Sequence, residues 1–383
     1  MIPYSKQNIS KEDIRAVTEV LKSEYLTTGP KVEEFELSCK QYFNSKYSLS
    51  FNSATSALHV ACLSMEITEG DLIWTSPISF VASANCALYC GASIDFVDID
   101  SGTFNICVNS LEDKLIEAKK LKKLPTLIVV VHLAGMPCDM EKIKELSKVY
   151  GFKIIEDASH AVGSSYKGSL IGDSKYSDIT IFSFHPVKIF TTGEGGMILT
   201  NNKNYAKKAL LHRAHGITRD HLEFQNKEFE PWIYEQQSLG YNYRMTDISA
   251  ALGISQLKKV KTWNVKRNKL SNIYKSSFGN TKEIEFQLNN LDSFSSYHLF
   301  IIQVNNRKKV FQYLRNKEIG VNVHYIPIHF HPYYKKLGFK EGDFPNAEKY
   351  YSKAISIPLY PSLTKKDQNY VIEHVIESVK MFG

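Results

Sequence analysis

Three short segments carry side chains whose types and order can do chemistry together. Asn52-Ser53-Ala54-Thr55-Ser56-Ala57-Leu58 follows an apolar run and opens a helical pattern. Small hydroxyl residues at a helix N-terminus can offer N–H and O–H donors to a phosphate, although a plain Ser/Thr cap has the same composition. A second apolar run ends in Glu156-Asp157-Ala158-Ser159-His160, where the acid can be a capping device or the charged partner of a ligand. The third segment is His185-Pro186-Val187-Lys188, followed by Thr191-Thr192-Gly193-Glu194-Gly195-Gly196. Pro186 and the glycines mark a constrained loop, so Lys188 does not sit on an ordinary solvated helix face, the usual place for a lysine. Taken jointly, a phosphate cradle, a carboxylate and an amine are what pyridoxal 5'-phosphate requires. The amine binds its aldehyde as a Schiff base, and the carboxylate keeps the pyridine nitrogen protonated so that the ring can accept electrons.

For these groups to meet, each must stand at the end of a strand. In an open parallel sheet, ligands bind beyond the carboxyl ends of the strands. Short β-rich runs recur at Tyr47–Phe51, Leu72–Thr75, Ile94–Val97, Leu127–Val131, Lys153–Glu156, Ile179–Phe184 and Met197–Thr200. Helical patterns separate several of them, including Ala57–Met65 and Met140–Tyr150, and Ile9–Ser23 reads as an amphipathic helix capped by Ser10. Leu127–Val131 is apolar throughout, as a strand buried on both faces must be. The expectation is an α/β fold with a large, mainly parallel seven-stranded sheet over residues 1–250, and a smaller α+β domain over 251–383 on which the N-terminal segment can pack. The smaller domain is expected to hold helices from Ile248 to Lys275 and strands near His298–Val304 and Val321–Ile326. Residues 218–237 lack any period and read as a long surface loop.

Composition excludes several classes. The chain has 383 residues, 43% hydrophobic and 23% charged, which suits a globular protein with a real core. Its 47 Lys and Arg against 40 Asp and Glu leave +7, scattered without a basic run. That suits an anionic small ligand and not a nucleic acid. Six cysteines without a C-x-x-C pair indicate reduced thiols, neither a zinc site nor a disulfide framework. The first residues, MIPYSKQNISKEDI, lack an apolar signal core. The uncharged stretch Leu72–Ile94 is broken by Pro77, Asn85 and Gly91, so no membrane span and a cytoplasmic location are expected. No glycine fingerprint for a dinucleotide or P-loop is present, which removes the main support for an oxidoreductase on a doubly wound sheet.

Six motifs together resemble the DegT/DnrJ/EryC1/StrS family of sugar aminotransferases. They are LTTGPKVEEFE (26–36), NSATSALH (52–59), GASIDFVDID (91–100), EDASHAVGS (156–164), SFHPVK with TTGEGG (183–196) and GYNYRMTDISAALG (240–253). The resemblance covers nearly the whole chain and implies the fold-type-I aminotransferase architecture, pyridoxal phosphate as cofactor and a homodimer with shared active sites. It implies that Lys188 holds the cofactor and moves the proton, and that Asp157 faces the pyridine nitrogen. By the same resemblance His160 lies near the ring hydroxyl, and Ser183, Thr55 and Ser56 bind the phosphate. Phe80 falls where an aromatic ring stacks on the pyridine, although core packing would also explain it. Asn242 matches an asparagine that reaches the phosphate of the neighbouring subunit. Ala54 stands where the family usually has glycine.

A narrower likeness rests on IPYSKQNIS, SFHPVK and GVNVHYIPIHFHPYY (320–334). It points to the branch of the family that serves pseudaminic acid synthesis, aminating C4 of a UDP-linked 4-keto-6-deoxy-N-acetylhexosamine with L-glutamate as donor. It implies substrate contacts from Tyr4, Thr27, Thr28, Ser56, His329 and His331. Those two histidines lack a third ligand at fixed spacing, so no metal is expected, and packing between domains is the plain alternative. A dehydratase of the same fold would carry His where Lys188 stands, and a non-catalytic relative would be expected to lose Asp157 or Lys188. An aminotransferase for a different nucleotide-linked keto sugar is the nearest rival.

Overall fold

The computed structural model describes residues 1–225, 230–290 and 292–382. Seven strands form the main sheet: β1 (Tyr47–Phe51), β2 (Leu72–Thr75), β3 (Ser93–Phe96), β4 (Leu127–Val131), β5 (Lys153–Asp157), β6 (Ile179–Ser183) and β7 (Gly196–Thr200). Their order across the sheet is β1-β7-β6-β5-β4-β2-β3. From β3 to β6 neighbouring strands run parallel, while β7 is antiparallel to both β6 and β1. The seven strands expected for this sheet are all present, within a residue or so at their ends.

Alternation along the strands separates two cores. Leu127 and Val129 of β4 join one apolar cluster, with Ile155, Ile181 and Ile198. Ile128 and Val130 join the other, with Ile154, Phe182 and Met197. This period of two is why LIVVV contains no polar residue. Helices α3 (Ala54–Ser64) and α4 (Ala82–Tyr89) bury Ala57, Val60, Ala61, Ala84, Cys86 and Ala87 in the first cluster, so they cover the face that Ile155 and Ile181 present.

Helix α1 (Lys11–Leu21) begins at Ser10 in a capping box with Asp13. Asp13 is fully buried and also accepts from Lys259 (2.8 Å), Ser255 (2.6 Å) and Gln256 (2.7 Å), which docks the first helix of the chain onto residues 242 to 246 positions away. Beyond residue 257 come the helix Val260–Phe278 and an antiparallel sheet of Glu285–Phe286, Phe300–Gln303 and Ala354–Ile357. A third cluster, including Tyr274, Phe300, Ile302, Ile355 and Val375, packs there. The N-terminal segment lies along this region: Ile2 N–H donates to Glu318 O, Gly320 N–H to Ile2 O, and Leu359 N–H to Tyr4 O.

Two expectations differ. Val321–Ile326 is not a strand; it makes one isolated bridge, Asn322 to Ser356. The reason is visible at its centre, where adjacent His324 and Tyr325 both face one cavity, which strand alternation forbids. The strand that fills the sheet instead is Ala354–Ile357, which follows a helix without a break to mark its start. In the stretch 218–237, Ile217–Thr218 pairs with Glu235–Gln236 and His221–Glu223 forms a short 3₁₀ turn; positions 226–229 lie outside the described residues. Among the described residues no helix is long and apolar enough to cross a membrane.

Candidate active site

Register brings the three chemical segments to one edge of the sheet. Asp157 pairs with Val131 of β4 and Ile181 of β6, Ser183 ends β6 opposite Gly196, and Gly196 is also opposite Phe51 at the end of β1. The loops after β1, β5 and β6 therefore converge. They enclose a cavity of about 410 Å³, lined by Thr55, Asp157, His160, Ser183 and Lys188, with Tyr4 and Phe80 on its walls.

The cradle is the start of α3. Ser53 caps the helix, its hydroxyl accepting from Ser56 N–H at 3.1 Å. The N–H groups of Ala54 and Thr55, in the first turn, have no partner four residues back and remain for an anion. Gly196 permits this arrangement: a Cβ on it would lie 2.4 Å from Ser53 O and 2.6 Å from Ala54 N. Ser56 itself does not reach the cavity. Its hydroxyl is spent on Asn52 Oδ1 (2.6 Å) and Ser53 O (2.8 Å), so the capping box uses the group expected to bind phosphate or substrate.

Asp157 is buried and keeps its carboxylate in place through Ser83, whose hydroxyl donates to Oδ2 at 2.6 Å, and Ser159 N–H, which donates to Oδ1 at 3.2 Å. Ser83 is in turn 2.7 Å from Ser79. Lys188 sits in the loop after β6, where its N–H donates to His185 O, while Thr191 and Thr192 both bond to Phe184 O. Its side chain is open only in part, ringed by protein. Burial pushes the amine down to about 8, against the pull of Asp157 in the other direction. Phe80 is 58% exposed and presents its ring to the cavity 6.4 Å from that of Tyr325, so core packing does not account for it.

His160 lines the cavity, but both ring nitrogens are engaged. Nδ1 accepts from Ala134 N–H at 3.2 Å, and Nε2 is 3.1 Å from the Tyr325 hydroxyl. Tyr4 lies 5.5 Å, ring to ring, from His324. These donors, the amine, the carboxylate and the exposed ring fit pyridoxal phosphate: Thr55, Ser183 and the first N–H groups of α3 would hold its phosphate, Asp157 would meet the ring nitrogen and Phe80 would stack on the ring.

Besides Ser56, five expected residues do not line the cavity of their own chain. Thr27 bridges Thr246, and Thr28 adjoins the start of the helix Pro30–Phe43, where Gly29 and Lys31 N–H bond to Asp247. Asn242 bridges Ala214, and its carbonyl accepts from Asn52 Nδ2 at 3.5 Å. His329 is fully buried, packed between Phe330 and Phe344 with Nε2 on Glu348 Oε1 at 3.0 Å, so substrate contact from it is corrected to a packing role. His331 caps the next short helix. The histidine that does face the cavity is His324, with Tyr325, in the same GVNVHYIPIHFHPYY segment. Ser79 and Ser83 were also missed, although they flank Phe80 in SPISFVASAN.

The chain is 38% identical over 392 residues, covering 99% of both chains, to a Campylobacter jejuni protein named UDP-4-amino-4,6-dideoxy-N-acetyl-beta-L-altrosamine transaminase. It is 37% identical over 387 residues, 99% of this chain and 97% of the other, to the Bacillus subtilis spore coat polysaccharide biosynthesis protein SpsC. Helicobacter pylori PseC, an aminotransferase involved in the biosynthesis of pseudoaminic acid, superimposes with a TM-score of 0.91 at 32% identity over 100% of both chains. The model of the DegT/DnrJ/EryC1/StrS aminotransferase family matches residues 7–376, and the chain belongs to that family, as a sugar aminotransferase dependent on pyridoxal phosphate.

Proposed function

We propose that the protein moves an amino group from L-glutamate to C4 of a UDP-linked 4-keto-6-deoxy-N-acetylhexosamine, in the pseudaminic acid pathway and in the cytoplasm. The observation that carries this reading is the full-length likeness to the Campylobacter transaminase, joined to a cavity that pairs Lys188 with Asp157. The cofactor, when bound, supplies an electron sink for the carbon that gains or loses the amine. Lys188 would hold it covalently, and the free Lys188 amine would move the proton at the reacting carbon. An amine that titrates near 8 is suited to both tasks near neutral pH. Asp157, facing the ring nitrogen, would keep that nitrogen protonated. The Thr55 and Ser183 hydroxyls, with the first N–H groups of α3, orient the phosphate. The enzyme acts as a homodimer, in which Asn242 of the partner subunit completes each phosphate site; its absence from the cavity wall of its own chain supports this reading.

A different nucleotide-linked keto sugar is the second reading, favoured by the nearly equal identity to the Bacillus spore-coat protein. A panel of UDP- and dTDP-linked keto sugars, each incubated with glutamate, separates the two. The expected product is the UDP-linked 4-amino-4,6-dideoxy sugar by mass and NMR, and preference for another sugar would replace the first reading with the second. Borohydride treatment and peptide mapping should place the pyridoxyl group on Lys188; a label on another lysine would overturn the site.

A further inference from the structure

The contacts of His160 decide where one phenol proton goes. Ala134 N–H donates to His160 Nδ1 at 3.2 Å, so Nδ1 presents a lone pair and carries no proton. Burial, and then the charges of Lys188 and His324, hold this imidazole well below its ordinary range. The ring is therefore neutral, with its single proton on Nε2. Nε2 faces the Tyr325 hydroxyl at 3.1 Å, and the phenol oxygen must accept there. The ring is not free to turn over, since it is buried against His298, centroids 4.3 Å apart. Tyr325 thus keeps its own O–H proton for another acceptor, and among the described residues it has none. Burial first, then the charges of Asp157 and Tyr4, raise the phenol, so it stays protonated across the working range. It lines the cavity together with Lys188.

We propose that Tyr325 donates a hydrogen bond from its hydroxyl to an oxygen acceptor of the bound reactants above Lys188, and that His160 is the positioning residue that aims this proton. The resemblance placed His160 itself near the cofactor's ring oxygen; with both nitrogens engaged, it acts through Tyr325. The inference rests on the reading of Lys188 given above. Two oxygens of the required chemistry enter the site, the ring oxygen of the cofactor and the keto oxygen of the sugar.

Nitrogen-15 NMR of the cofactor-free protein, labelled in histidine, tests the tautomer directly. Protonated Nε2 and bare Nδ1 at His160 are expected, and the reverse would overturn the proposal. Tyr325→Phe in the loaded enzyme then tests the donor. If the acceptor is the ring oxygen, the visible band of the cofactor shifts at fixed pH without any substrate. If it is the keto oxygen, the band stays and the half-reaction with the keto sugar slows by about 10- to 100-fold, while the glutamate half-reaction is retained. No change in either measurement would overturn the proposal. His160→Leu should reproduce the Tyr325→Phe effect, and His160→Gln, which can accept from Ala134 and donate to Tyr325, should restore most of what Leu loses. A borohydride label that leaves Lys188 in the unaltered protein would instead sink the reading of Lys188, a failure distinct from this one.

Discussion

Glu156 and Asp157 are adjacent carboxylates with opposite fates, decided by strand alternation. Asp157 shares its face with Ile155, α3 and α4, where Ser83 and the cavity lie; Glu156 turns to the other core and bonds His132 Nε2 at 2.8 Å. A ring nitrogen can therefore meet only the second acid. The free amine of Lys188, not its cation, attacks the cofactor aldehyde. Since burial lowers the amine to about 8 from its ordinary 10.5, the rate of covalent loading should rise with pH and level off above about 8. Stopped-flow absorbance on the cofactor-free protein reads this directly, and a rate still climbing toward the ordinary lysine range would contradict it. Asp157 pulls the amine upward, so Asp157→Asn should move that midpoint down. The same variant should keep bound cofactor yet lose at least about 10²-fold in turnover, the cost of a lost charge-assisted partner.

At the scale of elements, the phosphate cradle depends on how closely β7 approaches the start of α3. A methyl group at residue 196 would press on backbone atoms of Ser53 and Ala54, which cannot yield as a flexible side chain would. Gly196→Ala should push the strand and helix apart, lowering stability by about 1–3 kcal/mol and weakening cofactor retention together. Thermal unfolding with and without pyridoxal phosphate measures both. A variant that unfolds like the parent and keeps its cofactor would show that the close approach is not needed.

For the whole molecule, the prediction concerns subunit sharing. A mixed dimer of a Lys188→Ala chain with an Asn242→Ala chain should regain about one working site, because one site collects both lesions and the other neither. If each Asn242 served its own chain, both sites would carry one lesion and nothing would return. Co-refolding the two variants, with heterodimers confirmed by native mass spectrometry, gives the readout. If phosphate ligands are shared in this way, cofactor affinity is tied to association, and dilution below the dimer range should release cofactor.

The strands of the main sheet were legible because buried parallel strands admit little but apolar residues, and Lys188, Asp157 and Thr55 because they stand at the ends of those strands or within five residues of them. Local pattern also located α1, since Ser10 and Asp13 cap it within one turn. Tertiary structure alone decided the rest. Nothing local tells His329, packed against Phe344, from His324 five residues earlier on the cavity wall, because burial depends on which distant ring closes over each. Ser56 could be a phosphate ligand or a plain cap in sequence, and its hydroxyl is consumed by the cap. The direction of the Tyr325 proton depends on Ala134, His160 and Tyr325, three residues far apart in the chain that meet only when the sheet and the C-terminal region pack together.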